Sequence, residues 1–334
     1  TARVVRLAAD AVNSFRPEQL MAPLFSPQAK SPTAGSEVRA TQLSSVFPVV
    51  VAVTADGAAS AAIFITNALA QECGAVPTVL RVVQDDLPVS AAATGAMGGV
   101  PEAALDPAYR VAQLAALEDQ VRRTLNTVPN WRYDVEFGVT VPTIVQRARE
   151  LRAELVILGL PEHNFFRRAF VRDTVQGVVE HTPAAVLAVR PELTRRPGSV
   201  LVALDFGIAS LRAAHLACQL VAPGGRVILV YVQPDLPPGS SADATHVSAE
   251  SASALEKAIT LLIDELTFEK TVTVTSIIEH GGSIEGVKEA AVRMRPDVIA
   301  LGSRHHSAAD WFFGDSVSAD LLSDRRWSLL MVPE

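Results

Sequence analysis

One stretch of this chain occurs twice. GVTVPTIVQRARELRAELVILG (138–159) and GGSIEGVKEAAVRMRPDVIALG (281–302) have the same length and align without a gap. Gly138 matches Gly281, Ala148 matches Ala291, Arg152 matches Arg295, and Leu158-Gly159 matches Leu301-Gly302. The copies also close alike, since Thr174 to Glu192 and Ser316 to Glu334 have equal spacing. A repeat on this scale means that one supersecondary unit is built twice, so any architecture inferred for one copy binds the other. A chain of 334 residues has room for two such domains of ~150 residues, each with its own core.

Each copy alternates short apolar runs with amphipathic or apolar helices. In the first, strands are expected at 48–53, 78–83, 132–138, 155–159 and 184–190, with helices ending at Gly74 and covering 107–126, 143–152 and 174–182. In the second, strands are expected at 199–205, 226–232, 273–281, 298–302 and 328–333, with helices between them. Runs such as PVVVAV (48–53) are β-branched and do not alternate, which marks strands buried on both faces. Strands alternating with helices imply βαβ crossovers, and so an α/β fold whose parallel sheet carries helices on both faces.

Residues 1–46 differ in character. Val4, Val5, Leu7, Ala8, Val12 and Phe15 fall at helical spacing, with Arg3, Arg6 and Arg16 among them. A helix that buries one face on the body is expected there. The Arg- and Ser-bearing start also has transit-peptide character, weakened by Asp10 and Glu18, and it lacks the apolar core of a signal peptide. A Ser-, Pro-, Ala- and Gly-rich stretch follows with linker composition. The expected division is therefore an extension and linker over 1–46, a first domain over 47–192, a linker over 193–198 and a second domain over 199–334.

Composition narrows the functions. The charge is 29 − 36 = −7, and aromatics are only 5%. Nucleic-acid binding needs clustered positive charge and stacking platforms, so it is not expected. No apolar run reaches the ~20 residues of a membrane span. Cys73 and Cys218 lack metal or redox spacing and fit a reducing cytoplasm. No G-x-S-x-G elbow, complete Walker loop or H-E-x-x-H is present, and His181 and His280 have no identifiable nucleophile partner.

Open parallel sheets bind ligands beyond the carboxyl ends of their strands. In the second copy the first strand ends at Asp205-Phe206-Gly207, and the fourth at Gly302-Ser303-Arg304-His305-His306, leading to Gly314-Asp315-Ser316 at a helix start. A glycine loop feeding a helix N-terminus presents free N–H groups and the positive end of the helix dipole, which suits phosphate. Arg304 adds charge, and Ser316 serves as a cap or a phosphate donor. The competing structural roles are a tight turn at glycine and a turn-holding Asp205. His305 and His306 lack the ligand spacing of a metal site, and Arg167, Arg168 and Arg172 in the first copy read as a solvated helix face.

The opening strand VLVALD, the ending VIALGSRHH…WFFGDSVSADLL…SLLMVPE and the stretch VVEHTPAAVLAVR resemble the universal stress protein family. The resemblance covers about 47–334 as two tandem copies. It implies two doubly wound five-stranded sheets of order 3-2-1-4-5, adenine-nucleotide alpha-hydrolase-like, packed as a pseudo-dimer through their final strands. It also implies a cytoplasmic stress-response protein with ATP or another adenine nucleotide in the second copy, metal entering only as Mg²⁺ with that nucleotide, and at most weak ATP hydrolysis. The implied nucleotide residues are Asp205, Val232 (against the adenine), Gly302, Arg304, His305, Gly314 and Ser316. The family loop runs Gly, two residues, Gly, nine residues, then Gly-Ser or Gly-Thr. Here His305 replaces its second glycine and Gly314 comes one residue early. The first copy departs further, with Thr54 for the Asp, Glu162 for the second glycine and Arg172-Asp173-Thr174 for the closing pair, so it is expected to be a degenerate partner. The alternative is a non-nucleotide module that acts by protein contact and regulates a membrane transporter, with self-association or an unknown protein partner; any membrane contact is expected through residues 1–23.

Overall fold

The computed structural model describes residues 47–54, 59–84, 106–160, 165–233, 242–267, 272–303, 317–324 and 326–333. The expected amino-terminal helix lies outside these residues. Two compact units divide between Arg195 and Arg196.

The first unit runs β1 (Phe47–Ala52), α1 (Ser60–Cys73), β2 (Ala75–Val83), α2 (Pro107–Leu125), β3 (Arg132–Phe137), α3 (Thr140–Glu150), β4 (Leu155–Gly159), α4 (Phe165–His181) and β5 (Ala185–Val189). Its strands pair in parallel in the order β3-β2-β1-β4-β5. The second unit runs β6 (Ser199–Leu204), α5 (Ile208–Leu220), β7 (Arg226–Gln233), α6 (Ala242–Thr267), β8 (Thr273–His280), α7 (Ser283–Met294), β9 (Val298–Ser303), α8 (Val317–Asp324) and β10 (Ser328–Pro333). Its order is β8-β7-β6-β9-β10, again all parallel. The expected order 3-2-1-4-5 is thus present in each half.

The apolar runs make this arrangement stable. Val49–Val51, Leu155–Leu158 and Ala185–Val189 are buried in the first unit, as are Val200–Val202, Val227–Tyr231 and Val298–Leu301 in the second. Strands covered by helices on both faces have no solvated side, so every position is apolar. The outer strand β8 alternates towards solvent instead. Helix α1 buries Ala61, Ala62, Ile63, Ile65 and Leu69, and the hydroxyl of its buried Thr66 donates to the Ala62 carbonyl at 2.7 Å. Gly74 ends it in the left-handed conformation, φ 73°, with its N–H donating to the Leu69 carbonyl. Helix α2 starts on Asp106, whose carboxylate accepts from the Ala108 N–H, with Pro107 in the first turn.

The repeat extends to backbone conformation. Gly138 and Gly281 both have positive φ, 149° and 107°. Arg152 and Arg295 both adopt the left-handed region at 49° and 47°, just past α3 and α7. A β-carbon is disfavoured there by about 1 kcal/mol, yet both copies use an arginine at this turn.

Several element boundaries differ from expectation; helix α4 begins at Phe165, ahead of the expected 174. Helix α3 begins at Thr140, not at 143. Pro142 falls within its first turn, where a missing N–H breaks no helical bond. Strand β2 begins at Ala75 and runs through Pro77. Its pairing with β3 starts only at Thr78, so the proline interrupts no ladder on that side. Helix α6 begins at Ala242, ahead of the stretch SASALEKAITLLIDEL (251–266) whose spacing predicts it.

Candidate functional site at the strand ends of the second copy

The order β8-β7-β6-β9-β10 reverses direction between β6 and β9. That is the crevice in which an open α/β sheet takes a ligand. Three of the expected site residues end adjacent strands there: Val232 on β7, Asp205 just past β6 and Gly302 on β9.

The Asp205 turn is held by its own side chains. One Asp205 carboxylate oxygen accepts from the Gly207 N–H at 2.8 Å. The Ser210 hydroxyl donates to the Gly207 carbonyl at 3.0 Å and accepts from the Asp205 N–H at 3.3 Å. Between them Phe206 takes a left-handed conformation, φ 59°. The strain is offset by ring packing, since the Phe206 and Tyr231 rings lie 5.8 Å apart at 50°. Asp205 is exposed. Burial raises the pKa of the Tyr231 phenol, and the negative charge of Asp205 raises it further, which places the carboxylate within electrostatic reach of that ring.

Gly302 has a packing role. A β-carbon there would lie 2.5 Å from the Ser210 nitrogen and 2.7 Å from the Ala209 carbonyl carbon. The first turn of α5 therefore rests directly on the end of β9. Asp205, Ser210 and Gly302 form one cluster in which the helix start, the turn and the strand end are mutually fixed. Helix α5 begins after Gly207 without a side-chain cap. Its first N–H groups have no intrahelical partners, as at every helix start.

Val232 points the other way. Its methyl carbons come within 2.8 and 2.9 Å of where a β-carbon of Gly286 would be, so its side chain is seated against α7. Tyr231 and Val232 face opposite sides of the sheet, as successive strand residues do. Farther along α5, the half-buried Arg212 donates to the Pro333 carbonyl at 3.0 Å, and burial lowers its pKa. Arg304, His305, Gly314 and Ser316 lie outside the described residues, as do Glu162 and His163 of the first copy. Among the described residues no group of His, Cys, Asp and Glu could hold a metal ion, and no helix is long and apolar enough to cross a membrane.

The first copy fills the corresponding place differently. Thr54 stands where Asp205 stands, and its carbonyl accepts from Gln120 of α2 at 3.0 Å. The strand registers put Arg81 level with Tyr231. Arg81 is buried and its Nη2 donates to Gln120 Oε1 at 2.5 Å. His181, a loose histidine in the sequence, holds the Gly177 carbonyl of its own helix at 2.8 Å through Nδ1.

Two of these residues escaped the sequence reading. Ser210 is signalled by its place five residues after Asp205, at the start of a helix. Arg81 is signalled by being the one charge inside the run TVLRVV (78–83).

The comparisons with known proteins agree with this fold. The model of the universal stress protein family matches twice, over 47–190 and 198–333. A universal stress protein from Archaeoglobus fulgidus DSM 4304 superposes with TM-score 0.58 at 14% identity, covering 86% of this chain and 98% of its own. A functionally unknown protein from Pseudomonas aeruginosa PAO1 superposes with TM-score 0.54 at 14% identity, covering 87% and 93%. A universal stress protein solved in complex with cAMP covers 41% of this chain and 96% of its own, at 20% identity and TM-score 0.32. No curated protein matches. With both copies matched over nearly their whole length and the strand order present twice, the chain belongs to the universal stress protein family, as a tandem member.

Proposed function

We propose that this protein is a stress-response protein of the cytoplasm that binds an adenine nucleotide, ATP or a close relative, at the strand ends of its second copy. One observation carries the reading: the exposed Asp205 is fixed by Gly207 and Ser210 at the crevice beside Gly302. A carboxylate held at the end of a central strand accepts hydrogen bonds from ribose hydroxyls or an adenine amino group. The uncapped start of α5 lies beside it. In this reading Arg304, Gly314 and Ser316 receive the phosphates, and any Mg²⁺ arrives with them. Cys73 and Cys218 remain thiols, in keeping with a reducing compartment. No catalytic residue is assigned.

The test is mass spectrometry of nucleotide released from the purified, denatured protein, joined to calorimetric titration with ATP. Asp205→Ala is expected to weaken ATP binding at least tenfold while leaving the unfolding midpoint within a few degrees. Undiminished affinity in that variant would remove Asp205 from the site. An absence of heat in the wild type at millimolar ATP would favour a module acting by protein contact alone.

A further inference from the structure

Arg81 lies at the carboxyl end of β2 and is 6% exposed. Its Nη2 is held by Gln120, which is itself anchored on the Thr54 carbonyl. Its Nε is buried and has no hydrogen-bond partner among the described residues. Among the described residues no carboxylate forms an ion pair with it, and burial alone pulls its pKa down. Gln120 orients the guanidinium but supplies no charge. Arginine does not give up its proton in a protein, so the group stays cationic however it is buried. A cation taken out of water is strongly destabilising unless an anion and its remaining hydrogen bonds compensate.

The fold does not demand a cation here. The second copy has the neutral Tyr231 at the same level, packed on Phe206. The position lies near the carboxyl end of β2, beside β1 and one strand away from the β1–β4 crevice where parallel sheets receive ligands. We propose that Arg81, oriented by Gln120, is the cationic centre of an anion site in the first copy, separate from the Asp205 turn of the second. Its occupant is an oxyanion of the phosphate class, which matches the planar donor fork of a guanidinium.

The test uses the full chain. Thermal unfolding is followed against inorganic phosphate, with chloride holding ionic strength constant, in the wild type, Arg81→Met, Arg81→Lys and Asp205→Ala. Saturating phosphate should raise the wild-type midpoint by about 2–4 °C. Asp205→Ala should respond equally, Arg81→Lys partly, and Arg81→Met not at all. The ³¹P linewidth of phosphate should broaden with the wild type and sharpen again with Arg81→Met. If Arg81→Met does not fold, Gln120→Leu is the substitute, and it should weaken the broadening severalfold. An Arg81-dependent shift with ATP but not with free phosphate would overturn the proposal, placing the nucleotide itself in the first copy. Equal phosphate responses in wild type and Arg81→Met would overturn the proposal. So would a double-mutant cycle in which Asp56→Asn, Asp85→Asn or Asp86→Asn couples to Arg81→Met while phosphate has no effect, since the chain would then carry its own counter-ion.

Discussion

Glu154 and Asp297 occupy the same place in the repeat, one residue before β4 and β9, and the two carboxylates sit in different surroundings. Asp297 accepts from the N–H groups of Gly198 at 2.7 Å and Ser199 at 3.0 Å. Its own N–H donates to the Ser199 carbonyl at 3.0 Å. Glu154 makes the matching backbone bond, to the Pro48 carbonyl at 2.9 Å. Proline has no N–H to return, so the donor that Ser199 supplies in the second copy does not exist in the first. The Glu154 Oε2 is left buried without a partner among the described residues, and burial pushes its carboxyl from 4.5 up to about 7. A folded-state pKa above the unfolded one means that the native state binds the proton more tightly. The ionised form therefore destabilises the fold, an effect absent below pH 4.5, growing as pH rises, and complete above about 7. Glu154→Gln should stabilise the protein at pH 8 by about 1 kcal/mol, allowing for solvent screening of a half-buried group, and should change little at pH 4.5. Urea unfolding at the two pH values measures this, and a pH-independent difference would count against it. Asp297→Ala should act oppositely, losing about 2 kcal/mol by leaving the Gly198 and Ser199 donors unpartnered.

At the scale of elements, the contact of α5 with β9 sets what substitutions at Gly302 can report. A β-carbon 2.5 Å from a backbone nitrogen cannot be accommodated by a side-chain rotation, so helix and strand must separate. Gly302→Ala is expected to lose about 2 kcal/mol in chemical denaturation, and a midpoint equal to wild type would show that the helix yields. A glutamate at 302 disturbs this packing before it can repel a phosphate, so a loss of ATP binding there carries meaning only beside a stability measurement. The central strands were legible because burial on both faces leaves an unbroken apolar signature, as in VVV at 49–51 and VIAL at 298–301. The start of α3 was not legible, because a proline that ends helices elsewhere is harmless in a first turn. Asp205 and Gly302 could be placed at the crevice from topology alone. The Gly302 packing role could not, since it depends on how closely two elements separated by most of a domain approach. Ser210 and Arg81 were hidden for a related reason. A serine at a helix start is unremarkable, and Arg81, though the one charge in its run, takes its meaning from Gln120 on a different element.

For the whole molecule, one fold built twice has been put to unequal use. The backbones agree down to the left-handed arginines at 152 and 295. The strand ends do not, with Asp205, Phe206 and Tyr231 in one copy against Thr54 and Arg81 in the other. The Thr54 carbonyl accepts from Gln120, which also holds the Arg81 guanidinium, so the first copy has a hydroxyl-bearing residue and a fixed cation where the second has Asp205 and Tyr231. On the proposed reading the two copies differ in what they take: the second offers an acceptor for ribose or base, the first a donor for an oxyanion alone. Calorimetric titration with ATP should accordingly give one site per chain. Asp205→Ala should remove that site, and Arg81→Met should leave its stoichiometry and affinity unchanged. Two equivalent sites would show that Thr54 substitutes for Asp205, and one site lost only in Arg81→Met would mean that the copies had been assigned the wrong way round.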